Sequence, residues 1–113
     1  MDKKEALKIV QRDGLELKNL SVHFKKDKEI VLMAVKEYGL ALEFADVSLK
    51  KDKEFILEAV KQDGHSLYFA DDIFKKDKGI VLIAVKQDGS ALRFADESLR
   101  NDPDILKVVN KKK

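Results

Sequence analysis

Two histidines and two rows of aspartate are the residues of this 113-residue chain whose types and spacing could support chemistry. A metal site built on imidazoles needs them to converge on one point. His23 and His65 occupy different positions of a 25-residue repeat, so they are expected to project from different edges. Cysteine is absent, which excludes disulfides, thiolate metal sites and cysteine nucleophiles. The sequence therefore predicts no metal and no other cofactor.

The aspartate rows could indicate carboxylate catalysis or calcium binding. Neither row forms a calcium loop that ends in glutamate, and the chain contains no GxSxG, phosphate-binding or dinucleotide motif. Both rows instead precede helix-like segments, where aspartate is a preferred N-cap. We interpret them as caps and expect no enzymatic activity and no small-molecule substrate. The rows are Asp2, Asp27, Asp52, Asp77 and Asp102, and Asp46, Asp71 and Asp96.

Composition narrows the class of protein further. Lys and Arg number 23 against 21 Asp and Glu, and a net charge of +2 does not by itself favour nucleic acid or anionic lipid. No apolar run approaches the ~20 residues of a bilayer span, and the N-terminus lacks a signal-peptide core. We expect a cytoplasmic protein that does not bind membranes.

An uninterrupted repeat organises the whole chain. Glycines recur every 25 residues, at Gly14, Gly39, Gly64 and Gly89. Eleven of the 25 positions are identical in the three inner units. The prediction is one repeat domain, 1–113, made of units 2–26, 27–51, 52–76 and 77–101 and a half unit, 102–113.

Each unit is predicted to begin with an Asp-capped helix of three turns. The glycine after its last turn is expected to end the helix in the left-handed conformation. Leu42 and Phe44 in the following segment fit a strand as well as a helix, and we favour a shorter helix. A short helical turn follows, capped by aspartate or, in the first unit, by Ser21. The predicted fold is an all-α, short-repeat α-solenoid.

The apolar pattern predicts which residues form the core. Within the three-turn helix of the second unit, one face carries Ile30, Val31, Ala34, Val35 and Tyr38. Leu57 and Val60 are predicted core positions of the next unit. Polar residues replace apolar ones in the first unit, as a solvent-facing end of a stacked array requires. They are Glu5, Lys8 and Asn19.

The units resemble a known helical repeat, the family called domain of unknown function 4116. The resemblance rests on the core AVKQ-x-G-x-x-L-x-F-A-D, as in AVKQDGSALRFAD, and covers essentially the whole chain. It implies a tandem helical repeat with no established activity and with no catalytic or cofactor-binding residues to assign.

Positions that vary between units indicate where function could lie. Three columns vary strongly: one with Leu40 and His65, a second with Glu43, Tyr68 and Arg93, and a third with Lys8, Met33, Glu58 and Ile83. Stacking would place the first two columns along one edge, which we call the ridge, with the aromatic, charged and apolar mixture typical of interfaces. One hypothesis is that the ridge binds another protein, whose identity the sequence does not give. The alternative is surface without a function.

A second candidate surface comes from a basic run, KKDK, that recurs at 25–28, 50–53 and 75–78 and is followed in the same register by Arg100. Stacking would align these residues into a basic stripe able to bind nucleic acid with strong salt dependence. Acidic residues lie within or next to each run, and no aromatic residues are interleaved for base stacking. A non-catalytic scaffold or protein-interaction module is therefore the main prediction, with nucleic-acid binding as the alternative. The stripe comprises Lys25, Lys26, Lys50, Lys51, Lys75, Lys76 and Arg100.

Overall fold

The computed structural model describes residues 1–111, and every regular element in that part of the chain is helical. The units open with long helices: α1 (Lys3–Arg12), α3 (Lys28–Glu37), α5 (Lys53–Gln62), α7 (Lys78–Gln87) and α9 (Pro103–Lys111). Six-residue 3₁₀-helices follow: η1 (Gly14–Asn19), η2 (Gly39–Phe44), η3 (Gly64–Phe69) and η4 (Gly89–Phe94). Four-residue helices complete the units: α2 (Val22–Lys25), α4 (Val47–Lys50), α6 (Asp72–Lys75) and α8 (Glu97–Arg100).

The units stack side by side into an elongated array of 48 × 26 × 17 Å. Each long helix packs against the long helix of the next unit, and each 3₁₀-helix packs against the next 3₁₀-helix. The long helices also contact the 3₁₀-helices, so the core lies between these two layers. The predicted all-α repeat fold is confirmed. The segment after each glycine is a helix and not a strand, as the sequence favoured, but it is a 3₁₀-helix.

Aspartate side chains cap the long helices as predicted. Asp27 Oδ1 accepts hydrogen bonds from the backbone N–H groups of Glu29 and Ile30, at 3.0 and 3.2 Å. Asp52 and Asp77 cap their helices in the same way. Since the first amides of a helix have no partner within it, each cap satisfies donors that would otherwise need water.

The repeated glycines do not have the predicted left-handed conformation. No glycine in residues 1–111 has a positive φ angle. The long helix already ends one residue earlier, at an extended residue such as Asp63, whose φ is −152°. Gly64 then opens the 3₁₀-helix, and the Asp63 side chain caps that helix by accepting from His65 N–H.

Close approach between units explains the glycines instead. A Cβ atom on Gly14 would overlap the carbonyl oxygen of Ala34 in the next unit, and one on Gly64 would overlap that of Ala84. A Cβ on Gly39 would collide with the Asp63 carboxylate. Glycine therefore lets the first three 3₁₀-helices start directly against the following unit.

Most of the predicted core is buried, with two exceptions. Ile30, Val31, Ala34 and Val35 are at most 1% exposed, and Val60 is fully buried. The prediction that Tyr38 belongs to the core is wrong. Helix α3 ends at Glu37, so Tyr38 lies beyond the apolar face of the helix and is exposed. Leu57 is only half-buried.

The short helices link neighbouring units through their backbones. Asp46 N–H donates to the Lys25 carbonyl of the preceding unit at 3.0 Å, and the same bond recurs from Asp71 to Lys50. The side chains of Asp46 and Asp71 also cap α4 and α6, as predicted. Ser21, the predicted equivalent cap, forms no side-chain cap hydrogen bond.

The two ends of the described array differ. At the first unit, Glu5, Lys8 and Asn19 are all exposed, at the predicted solvent-facing end. At the other end, α9 supplies the helix of the half unit and buries Ile105. The last two residues of the predicted half unit, 112–113, lie outside the described residues.

Candidate interaction surface

The five ridge residues all lie on the 3₁₀-helices, at their second and fifth positions. Leu40 and Glu43 lie on η2, His65 and Tyr68 on η3, and Arg93 on η4. Four of them are exposed, and His65 is half-buried. Because consecutive 3₁₀-helices pack against one another, these residues follow each other along one edge of the array.

His65 joins the third and fourth units. Its Nε2 lies 2.8 Å from Ser90 Oγ and 3.1 Å from Asp88 Oδ2, and its ring meets Phe94 edge-on. In a catalytic Ser-His-Asp triad, serine and aspartate contact opposite nitrogens of the imidazole. Here both approach the same nitrogen, so the aspartate does not orient the ring toward the serine. We interpret this cluster as a contact between units.

Glu43 and Arg93 do not form a charged pair with each other. They lie two units apart, with Tyr68 at the corresponding position between them. Among residues 1–111, no carboxylate lies within 4.0 Å of Arg93, whose guanidinium stacks 4.8 Å from the Phe94 ring centroid. The structure therefore does not assemble Glu43, His65 and Arg93 into one acid–base cluster.

Part of the basic stripe has a structural role. Lys50 and Arg100 end two of the short helices, and both reach back to the 3₁₀-helix of their own unit. Lys50 Nζ donates to the Glu43 carbonyl at 2.8 Å, and Arg100 Nη2 donates to the Arg93 carbonyl at 3.4 Å. These side chains therefore satisfy carbonyl groups at the ends of the 3₁₀-helices, which lack partners within the helix.

Two further lysines of the stripe, Lys26 and Lys76, lie near carboxylates. Hydrogen bonds from the Ser48 hydroxyl and backbone lower the pKa of Asp46, and the charges of Lys26 and Lys50 lower it further. The pKa of Asp96 is lowered in the same way by Ser98, with a contribution from Lys76. Because these lysines face ionised carboxylates, the stripe is less positive than its sequence suggests.

The first lysine after each capping aspartate has a different role, which the sequence reasoning missed. Lys28 Nζ reaches Asp52 Oδ2 of the next unit at 2.9 Å, while Asp52 Oδ1 caps α5. The same pair recurs at every junction, and we call the series the Lys–Asp ladder. Its other pairs are Lys3–Asp27 at 3.1 Å, Lys53–Asp77 at 3.3 Å and Lys78–Asp102 at 3.2 Å.

The ladder shifts the acidities of its members. Partial burial acts to raise the pKa of Asp27, but hydrogen bonds from Lys3 and from Ile30 N–H outweigh it and hold the pKa below its ordinary value. For Asp52, the hydrogen bond from Lys28 is the main cause of a lowered pKa. The same bond raises the pKa of Lys28. Both charged forms are thus favoured in the folded array.

Part of the ridge and part of the stripe meet in one open cleft. This cleft, of about 540 Å³, lies between the third and fourth units. Tyr68 and Arg93 come from the ridge, and Lys75, Lys76 and Arg100 come from the stripe. The other lining residues are Asp72, Phe94, Ala95, Asp96 and Glu97. Leu40, Glu43 and His65 do not line it.

Comparison with known families agrees with this repeat geometry. A family model described as Domain of unknown function (DUF4116) matches the chain four times, over residues 2–50, 27–75, 52–100 and 77–112. The chain belongs to this family. Each of the first three matches spans two consecutive units, so one match contains one pair of the Lys–Asp ladder. No curated protein and no solved structure matches the chain.

Within the DUF4116 array, the cleft was not predictable from either surface taken alone. The ridge and the stripe occupy separate stretches of each unit, and only the stacking of two units brings Tyr68, Lys75 and Lys76 of the third unit against Arg93 and Arg100 of the fourth. The ladder did leave a signal, since Lys28, Lys53 and Lys78 are identical although they are exposed.

The described part of this DUF4116 chain offers no grouping typical of a metal centre. Among residues 1–111, no three or more His, Asp or Glu side chains are arranged to hold a metal ion. No helix in the same part is long and apolar enough to cross a membrane.

Proposed function

We propose that this protein is a non-catalytic interaction module that presents its ridge to another protein. One observation carries the proposal. The two varying columns of the ridge lie on consecutive 3₁₀-helices and are mostly exposed, whereas the repeated leucines of the same helices, Leu42 and Leu67, are fully buried. The scaffold thus fixes the backbone of the ridge and leaves its side chains free to differ.

The contacts between units support the idea that the ridge is held rigidly. The ladder ties the starts of the long helices together, and the backbone bonds from Asp46 and Asp71 tie the short helices. Tyr68 adds an exposed aromatic ring, 53% accessible, held edge-on by Phe69 and Phe94. A fixed, exposed aromatic loses little entropy on binding and is a common interface anchor.

Nucleic-acid binding through the stripe is the second candidate function. The column of exposed lysines, Lys26, Lys51 and Lys76, favours it. The carboxylates of Asp46 and Asp96 beside them oppose it, because they repel a phosphate backbone. Filter binding to single-stranded DNA at several salt concentrations tests this alternative, which requires affinity that falls steeply with salt.

The ridge is tested by quantitative affinity capture from the native host. Tyr68→Ala with Arg93→Ala removes the aromatic and the unpaired cation of the ridge, and we expect at least about tenfold less of the specific partner. Lys8→Ala with Glu58→Ala, two exposed residues on the long helices, is the matched control. Equal recovery of the partner by wild type and by the ridge variant would refute the proposal.

A further inference from the structure

The cleft between the third and fourth units contains two cations without a close counter-ion. Lys75 Nζ lies 3.3 Å from Asp72, and Arg100 Nε donates to the Ala95 carbonyl, so both are already engaged. Arg93 and Lys76 form no ion pair within 4.0 Å in the described part of the chain, although Lys76 lies near enough to Asp96 for its charge to lower the pKa of that carboxyl group. These two side chains are therefore the ones able to pair with anionic groups of a ligand.

The aromatic side chains of the cleft hold its shape. Tyr68 and Phe94 meet edge-on, with ring centroids 5.2 Å apart, and Arg93 stacks on Phe94. A stacked guanidinium keeps its N–H edge available for a bidentate bond to a carboxylate. The exposed part of the Tyr68 ring offers an apolar surface beside that cation.

The charge pattern favours a sparsely charged ligand. Asp72 and Glu97 are exposed at the cleft, and Asp96 lies on its wall. A nucleic-acid strand carries a phosphate every ~3.4 Å and would bring charges against these carboxylates. A peptide can place two carboxylates on Arg93 and Lys76 and uncharged atoms elsewhere.

A tyrosine followed one unit later by an arginine, as in Tyr68 and Arg93, occurs at one junction only. The column that contains Tyr68 and Arg93 reads Lys18, Glu43, Tyr68, Arg93 along the chain. At the preceding junction the residue in the place of Tyr68 is Glu43, whose carboxylate would repel an anion. The chain therefore offers a single site of this kind.

We propose that this cleft binds a short acidic peptide segment of a partner protein, with Arg93 and Lys76 pairing with two of its carboxylates and Tyr68 packing against an apolar side chain between them. The inference rests on the proposed interaction function and specifies the chemistry of the partner.

The test is fluorescence anisotropy with the peptide Gly-Ser-Glu-Leu-Glu-Ser, labelled with fluorescein at its N-terminus and amidated at its C-terminus, so that two carboxylates flank one apolar side chain. We expect saturable binding of one peptide per chain. Arg93→Ala should weaken it by about tenfold, because a charge-assisted hydrogen bond is lost. Lys76→Ala and Tyr68→Ala should each weaken it severalfold. Melting curves of these variants confirm folding, since all three side chains are exposed.

Matched controls separate the cleft from general charge attraction. Lys51 occupies the position of Lys76 in the preceding unit and is equally exposed, so Lys51→Ala should leave the affinity unchanged within about twofold. The same peptide with Gln in place of Glu should not bind. Equal effects of Lys51→Ala and Lys76→Ala, equal binding of the Gln peptide, or tighter binding of a single-stranded DNA 12-mer would overturn the inference.

The two proposals fail in distinguishable ways. If partner capture depends on Tyr68 and Arg93 but the acidic peptide does not bind, the ridge function stands and the acidic specificity is wrong. If the peptide binds as expected but capture is unchanged by the ridge variant, the cleft stands as a site and the proposed function of the ridge fails.

Discussion

At the scale of single residues, the glycines lie where consecutive units come closest together. Gly64 has no room for a Cβ, because the Ala84 carbonyl of the next unit occupies that space. Gly89 has the same place in the fourth unit, but its nearest neighbour in the Cβ direction is Val109 Cγ1 at an ordinary 3.6 Å. The two glycines are thus equivalent in sequence and different in packing.

This difference gives a matched pair of substitutions. Gly64→Ala should lower the free energy of unfolding by about 1–3 kcal/mol, because the neighbouring helix must move to admit a methyl group. Gly89→Ala should leave it unchanged or raise it by up to ~1 kcal/mol, through a less flexible unfolded chain. Urea denaturation measures both values, and equal losses would show that close packing is not the reason for glycine.

Val60 and Leu57 differ in burial although both were predicted as core. Val60→Asp places an unpaired charge in a fully buried site. It should lower the free energy of unfolding by about 3 kcal/mol or more, which is enough to unfold a marginally stable array. Leu57→Asp should cost less, because the side chain is half-exposed. Circular dichroism melting with Glu58→Asp as the exposed control tests this order, and a Val60→Asp variant that melts with wild type would contradict it.

At the scale of elements, each long helix after α1 is fixed at its start by one aspartate with two roles. One carboxylate oxygen caps the helix, and the other accepts from a lysine of the preceding unit. Local capping and contact between units thus depend on the same ionised group. The lysines are exposed, so each ion pair of the ladder contributes little to stability.

The lowered pKa values of Asp27, Asp52, Asp77 and Asp102 predict how stability responds to acid. A carboxylate with a lowered folded-state pKa stabilises above its unfolded pKa of about 4, and this stabilisation is lost as the pH falls through the folded value. The raised lysine pKa of Lys28 acts oppositely: its contribution is lost only above about pH 10.5.

Asp52→Asn with Asp77→Asn tests the acid response. Asparagine retains an oxygen that can cap the helix but has no charge to lose, so the urea midpoint of the variant should fall less between about pH 7 and pH 2 than that of wild type. The wild type is the reference at each pH. If the urea midpoints of the two proteins fall equally with pH, the ladder does not contribute to the acid response.

At the scale of the whole molecule, neighbouring units provide almost every contact between units. Long helix packs on the next long helix, and 3₁₀-helix on the next 3₁₀-helix, across the 48 Å length of the array. The stability of such an array is approximately a sum over units and junctions. Removal of one whole unit should therefore leave a shorter array of the same kind.

Deletion of 52–76 joins the second unit directly to the fourth. Lys28 would then pair with Asp77, and Gly39 would meet Asp88 in place of Asp63, so most contacts have an equivalent. The hydrogen bond from the Ser66 hydroxyl to the Gly39 carbonyl is lost, because Ala91 takes the place of Ser66. We expect a cooperatively folded helical protein with a smaller denaturant m-value, because less surface is buried. Deletion of 34–53 is the control: compared with removal of a whole unit it leaves five extra residues inside a long helix, which rotates the two halves of its apolar face by about 140° relative to each other, so it should not fold cooperatively. Folding of both proteins, or of neither, would contradict the repeat geometry.

The sequence by itself determined the period, the all-helical class, the capping aspartates and most of the buried face. These features depend on a residue and its near neighbours in the chain, as with Asp27 and Ile30, so local spacing reveals them. The tertiary structure decided the 3₁₀ form of the second helices, the packing role of Gly64, the partners of the ladder lysines and the cleft. The last three depend on atoms about one unit apart, such as Lys28 and Asp52 or Tyr68 and Arg93, whose separation is set by how closely the units stack.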